Sequence, residues 1–236
     1  MSRKFIIGLA SVFMAAAFTS QAAVIDLTFE GIAPYPNGNN VQILNYYNGG
    51  MSSAGTTGPN FGISFPSNAL LICLNTLTTS CSNTSRGGQG DPASQMGSLF
   101  FLAGSSTFLD DPAGFTTGFS FNYTAINQGG SISVWSGVDG TGTLLATLNL
   151  PTTASSCPAG YDAQFCPFVP IGVTFSGTAE SINFGGTANQ IVFDDVTFGS
   201  ATPGTAPEPS FLIPVGIFAI GVGLFRMRRP RKMQAL

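Results

Sequence analysis

The 236-residue sequence contains no histidine. That removes the commonest general base, the usual transition-metal ligand and every histidine-dependent catalytic triad. Charge is scarce: 8% of residues are Asp, Glu, Lys or Arg, against about 25% in an average soluble domain. Cations are scarcer still where a folded domain would lie. Between Val24 and Thr205 a single cation, Arg86, stands against ten acids, a balance of −9. Nucleic-acid binding needs clustered cations that displace counterions, so no nucleic-acid partner is expected. Glycoside hydrolysis by two carboxylates stays chemically open, but nothing marks out a pair, and the chain reads as a non-enzyme. Long helical periodicity is missing too: away from the two ends, no segment of ten or more residues repeats at helical spacing.

What is present in quantity is Gly, at 30 residues, and Phe, at 21, with Ser, Thr and Asn abundant. Aromatic and β-branched residues suit strands, while Gly and Asn supply the positive φ of tight turns. Apolar stretches of strand length recur at 24–29, 41–47, 62–65, 69–74, 97–102, 118–123, 131–136, 143–149, 169–175, 181–184 and 190–198. Turn clusters such as Asn48-Gly49-Gly50, Asp139-Gly140-Thr141-Gly142 and Gly185-Gly186 separate them. About eleven short strands with no repeat period predict an all-β domain over 24–199: a two-sheet β-sandwich of jelly-roll type.

The ends have their own logic. Arg3 and Lys4 precede an apolar run over 5–18 and then Ser20-Gln21-Ala22-Ala23, which predicts a secretory signal peptide over 1–23. At the other end, 200–210 is a Pro-rich linker holding Pro207-Glu208-Pro209. A 15-residue apolar run over 211–225 follows, then a basic tail over 226–236 with Arg226, Arg228, Arg229, Arg231 and Lys232. Such a run makes a transmembrane helix of about 22 Å, short beside a hydrocarbon core of roughly 30 Å. The basic residues belong on the cytoplasmic side, which puts the domain outside.

This three-part tail resembles the PEP-CTERM sorting signal, on Pro207, Glu208 and Pro209, the apolar run, and Arg226, Arg228 and Arg229. The resemblance implies a protein of a Gram-negative bacterium, exported through the inner membrane to the cell surface or exopolysaccharide matrix. It implies membrane anchoring until an exosortase-type processing protease cuts near the motif. The tail specifies an address, not an activity.

Four cysteines, Cys73, Cys81, Cys157 and Cys166, all fall in the exported part. An even count outside the cytoplasm points to disulfides. Three connectivities are possible, and the short separations favour the local bridges Cys73–Cys81 and Cys157–Cys166. With no CxxC and no histidine, zinc is a poor alternative.

Period 2 along the last strand groups Val192, Asp194, Val196 and Phe198 on one face. If that face is the core, Asp194 is an acid among hydrophobes and needs compensation. With Arg86 the sole cation at hand, bound calcium is a compensator suited to oxygen ligands. Phe29-Glu30-Gly31 near the start and Phe193-Asp194-Asp195-Val196 near the end resemble the opening and closing strands of jelly-roll carbohydrate-binding modules. The resemblance implies a structural calcium held by Glu30, Asp194 and Asp195, and no other cofactor. Sugar-binding modules stack aromatic rings on sugars, and Tyr35, Tyr46, Tyr47, Trp135 and Tyr161 are the candidates for that role. The expected function is thus a non-catalytic envelope or matrix protein that binds polysaccharide. A purely structural or adhesive surface protein without a ligand is the alternative, and a carboxylate-based glycosidase a more distant one.

Overall fold

The computed structural model describes residues 25–34, 40–74, 88, 90–92, 96–157, 159 and 165–204. The signal peptide, the Pro207-Glu208-Pro209 motif, the apolar run over 211–225 and Arg226, Arg228 and Arg229 lie outside the described residues, as do Cys81, Arg86, Tyr35 and Tyr161. One compact unit runs Ala23–Glu208. Among its described residues no helix is long and apolar enough to cross a membrane.

The unit is an all-β sandwich of two antiparallel sheets. Eleven strands follow in chain order: β1 (Asp26–Leu27), β2 (Val41–Gln42), β3 (Leu70–Cys73), β4 (Gly97–Phe100), β5 (Ser106–Phe115), β6 (Gly118–Ala125), β7 (Gly130–Gly137), β8 (Thr141–Leu150), β9 (Val169–Thr174), β10 (Ala179–Gly186) and β11 (Ile191–Phe198). The larger sheet has seven strands in the order β2-β3-β4-β11-β6-β9, with β1 also on β11; the smaller runs β5-β10-β7-β8. Most of the predicted strands are present. The early ones shrink to β1 and β2, and the stretch 62–65 contributes only a bridge from Ser64 to Asp110. The ten residues of β5 fall between the predicted strands 97–102 and 118–123 and were not expected. As an edge strand, β5 can carry charge and proline that a central strand could not.

The core between the sheets is a packed set of phenylalanines. Phe193 of β11 lies 5.7 Å from Phe121 and 4.8 Å from Phe184, ring centre to ring centre, in edge-on contact. Phe115 meets Phe198 in the same way at 4.7 Å. Such pairs add to the gain from apolar burial. A second, smaller cluster of Ile72, Leu74, Phe100, Ile126, Phe165 and Val192 sits on the opposite face of the large sheet.

That outer face is closed over by chain. Phe165, Phe168 and Ala154 belong to the smaller cluster, and the Cys157–Cys166 disulfide staples the segment that carries them. Cys73 is disulfide-bonded as well. Farther along the same sheet, residues 199–204 fold back after β11. Gly199 N donates to Gly118 O, and Gly204 N to Thr197 Oγ1. Gly118 and Gly172 permit this close passage: a Cβ on Gly172 would overlap Ala201 O and stand 2.7 Å from Ser120 Cβ. The substitution Gly172→Ala should therefore cost about 1–3 kcal/mol, the usual range for overpacking. It should also speed amide exchange across 199–204. Unchanged exchange in that segment would show that the close approach does not hold it.

Candidate functional site

Two places in the sandwich gather chemistry. The first is the acid cluster around β11. Its geometry follows from a break in strand alternation. The β11–β6 register runs Asp194↔Asn122 and then Thr197↔Ser120, with a bulge between. Asp195 is the residue that absorbs it, at φ +46°, a left-handed conformation that Asp tolerates better than most residues. Alternation resumes in the other phase. Phe193, Val196 and Phe198 face the core between the sheets, and Val192 faces the smaller cluster. The expected grouping of Asp194 with Val196 and Phe198 is thus wrong by one bulge: Asp194 lies on the covered outer face, not between the sheets.

Asp194 is nonetheless wholly buried. Its Oδ2 accepts from Ser98 Oγ at 2.9 Å and its Oδ1 from Asp195 N at 2.9 Å. Burial, then the charges of Asp195 and Asp91, hold its carboxyl well above the ordinary carboxylate range. Asp195 accepts from Asn122 Nδ2 at 3.1 Å. Across the strand pair, Asp26 is pushed up to about 6 by burial and by the charge of Asp195, opposed by the Thr197 hydroxyl. Glu30 turns to the start of β4, where its Oε1 accepts from the backbone N–H of Met96 and Gly97. Among the described residues no three His, Cys, Asp or Glu side chains form a group that could hold a metal ion. Glu30, Asp194 and Asp195 each spend oxygens on donors of the protein.

The second place is the outer face of the four-stranded sheet. Ile132, Val134, Ile182 and Phe184 point to the core, so their strand neighbours point out. Registers place Asp110, Ser181, Trp135 and Leu144 in one row across β5, β10, β7 and β8. Phe108, Asn183, Ser133 and Thr147 form the next row, and Ser106, Gly185, Ser131 and Asn149 the third. Two aromatic rings thus stand in a field of hydroxyls and amides, with Asp110 as the only charged member of these rows. Trp135 Nε1 and Asn183 Oδ1 are closed off from solvent without a hydrogen-bond partner in the protein. Each such group costs about 1–3 kcal/mol while unpaired.

One end of this face is walled by the 3-10 turn Val138–Gly140 at the tip of the β7–β8 hairpin. Asp139 N donates to Asp110 Oδ1 at 2.8 Å, and Gly140 N to Ser181 Oγ at 3.0 Å. Ser181 Oγ in turn donates to Gly137 O. Gly140, at φ +70°, lies against the Phe108 ring with no space for a side chain.

Of the aromatic candidates, Trp135 stands on this face. Tyr46 and Tyr47 do not: both are buried in the core. Tyr46 donates to Glu30 O, and Tyr47 Oη accepts from Phe29 N at 2.8 Å. They pin the chain after β1 and are not free to stack on a sugar. Phe108 escaped sequence reasoning because it lies on the unexpected β5.

No protein-family model and no curated protein matches the chain. Among solved structures, it is similar at TM-score 0.36 and 11% identity to the CBM22-1–GH10 modules of Clostridium thermocellum xylanase 10B complexed with xylohexaose, over 75% of this chain and 28% of that one. It is similar at TM-score 0.30 and 12% identity to the C-terminal CBM6 of LamC from Zobellia galactanivorans, over 75% and 99%. The K3 adhesin domain of Lys-gingipain from Porphyromonas gingivalis aligns at TM-score 0.37 and 11% identity, over 76% and 100%. The chain thus spans less than a third of the xylanase structure.

The acids generate a pH prediction. Asp26 and Asp194 are raised, and burial raises Asp110 and Asp111 too. A carboxyl with a raised folded pKa binds its proton more tightly when folded, so stability is greatest at low pH and falls as pH rises. For Asp26 the loss runs from 3.8, its ordinary value, to about 6. In chelator, the melting temperature should climb as pH drops from neutral toward 4, and Asp26→Asn should raise it at neutral pH and flatten the slope. A melting temperature that peaks at neutral pH and falls below 6 would contradict this.

Proposed function

We propose that this chain is an exported, non-catalytic surface protein whose sandwich binds a neutral glycan on the outer face of its four-stranded sheet. The observation that carries the reading is the contrast between the two outer faces. One is covered by chain and stapled; the other is open and lined by Trp135, Phe108, hydroxyls and amides. Rings offer flat apolar contact to a sugar, and the exposed side chains of Ser131, Thr147 and Asn149 suit its hydroxyl groups, which both accept and donate. An acidic polysaccharide fits poorly beside a domain at −9 with one cation.

The two ends of the sequence support the route: the signal peptide for export, and the Pro207-Glu208-Pro209 tail for membrane anchoring and exosortase-type processing in a Gram-negative envelope. The intact mass of the protein recovered from its host tests this part. Loss of both ends supports it, and a full-length tail in the mature protein counts against it.

Glycan binding is tested by calorimetry against neutral polysaccharides, the producer's own among them. Trp135→Ala and Phe108→Ala should each weaken binding about tenfold or more, which is roughly 1.4 kcal/mol. Binding unmoved by both substitutions would place the sugar elsewhere.

We further propose that a calcium ion compensates the acid cluster, held by Asp194 and Asp195 together with backbone or water oxygens, while Glu30 stays turned to Met96 and Gly97. Buried like charges favour a bound cation as much as a bound proton. Calcium should raise the melting temperature at neutral pH and Asp194→Asn should abolish the rise. The same melting curve with calcium and with chelator would leave the proton as the compensator.

A further inference from the structure

Each sheet ends in strands whose outer backbone groups have no neighbour, and such edges invite pairing unless they are guarded. Among the described residues five strands, β1, β2, β5, β8 and β9, have one strand partner each, and four of them are guarded; β1 is a stub of two residues. The strand β2 has only two residues. In β9, Pro170 withholds a donor, and residues near Ala201 crowd Gly172. The strand β5 carries Asp110, Asp111 and Pro112, and Asp110 exchanges two backbone hydrogen bonds with Ser64.

The remaining edge, β8, has none of these devices. Its ten residues, Thr-Gly-Thr-Leu-Leu-Ala-Thr-Leu-Asn-Leu, include no charge and no proline. Among the described residues it pairs on one side only, with β7. Thr141, Gly142, Thr143, Leu144, Thr147 and Asn149 are exposed, Leu144 by 46%.

We propose that β8 is the interface between two copies of this chain, paired antiparallel about a two-fold axis so that the two four-stranded sheets join into one of eight. The choice of a second copy rests on charge and symmetry. A domain at −9 repels its own copy wherever acids meet, and β8 is a neutral strip through which two copies approach without like-charge contact. A strand laid antiparallel on itself forms an isologous, closed pair, and the exposed Leu144 gains cover from its copy. The pairing also sets the two outer faces side by side. Trp135 lies one strand in from the seam, so the two indoles fall at least about 14 Å apart, at roughly 4.8 Å per strand. Two sites on one surface raise avidity for a polymer; this last consequence rests on the glycan reading, whereas the pairing does not.

The test uses the full chain in detergent, with mass read by sedimentation or light scattering and no glycan present. The double variants Leu144→Lys/Thr147→Lys and Leu144→Glu/Thr147→Glu put charge on the exposed strip. The wild type should have twice the monomer mass, and each variant alone the monomer mass. An equal mixture of the Lys and Glu variants should regain the dimer, because across the seam like charge is replaced by opposite charge. That recovery also separates an interface effect from misfolding. A monomeric wild type, a dimer that survives in both variants, as association through the apolar run over 211–225 would give, or a mixture that stays monomeric would each overturn the proposal.

Discussion

The structure turns on β11. It is buried on both faces along all eight residues, and β1, β4 and β6 all bond to it. A strand in that position must serve two apolar environments, and its sequence does so by changing phase. Before the bulge, Ile191 and Phe193 feed the core and Val192 the covered outer face; after it, Val196 and Phe198 return to the core. Without the extra residue at Asp195, the period-2 rule would send Val196 and Phe198 to the face of Val192 and Asp194. The Phe115–Phe198 contact would be lost with them. The acid cluster is the other side of that solution, since the residue that makes the bulge and the residue before it are both aspartates.

The same asymmetry decides where a ligand could act. The large sheet needs a lid because its outer face carries Ile72, Phe100 and Val192, which cannot be left in water. The chain over β11 and its neighbours supplies it, and the Cys157–Cys166 bond narrows the conformations open to that segment. The small sheet sends Leu109, Ile132, Val134, Ile182 and Phe184 inward and mostly Ser, Thr and Asn outward, beside Trp135, Phe108 and Leu144, so it needs no cover. An uncovered sheet face with two rings and two unpaired polar atoms is therefore a consequence of how the core was divided.

Much of this was legible in the sequence. Alternation and glycine-rich turns suffice for an all-β sandwich and for most strand positions, because half-buried strands obey period 2. The Cys157–Cys166 pairing was legible from spacing alone. Three things were not. The Asp110-Asp111-Pro112 segment looks like a turn, and only its place on an edge makes it a strand. The phase change in β11 is invisible because nothing local in Phe193-Asp194-Asp195-Val196 announces a bulge; the register with β6 creates it. Tyr46 and Tyr47 look like surface aromatics beside Asn48-Gly49-Gly50, yet their hydroxyls reach back to residues 29 and 30, and such long-range partners leave no local trace. Trp135 was singled out, but the residues that give it a surface come from β5, β8 and β10, far away in the chain.

Scarcity of cations ties the acid cluster to the neutral edge. A domain that carries almost no lysine or arginine cannot settle its buried carboxylates by ion pairs. It relies on hydroxyl, amide and backbone donors: Ser98, Asn122, Thr197 and the N–H groups of Asp195, Met96 and Gly97. Burial outweighs those donors, so the resolved carboxylate shifts run upward together. The same scarcity reaches the sheet edges. Lysine is a common guard of exposed strands, and without it the chain falls back on proline, aspartate, short strands and overlying loops. Aspartate serves as a guard on β5, where Asp110 and Asp111 lie. Where neither proline nor aspartate is present, on β8, the backbone is left available. In a domain with ten acids and one cation, a neutral strand is the place where a second copy meets least resistance.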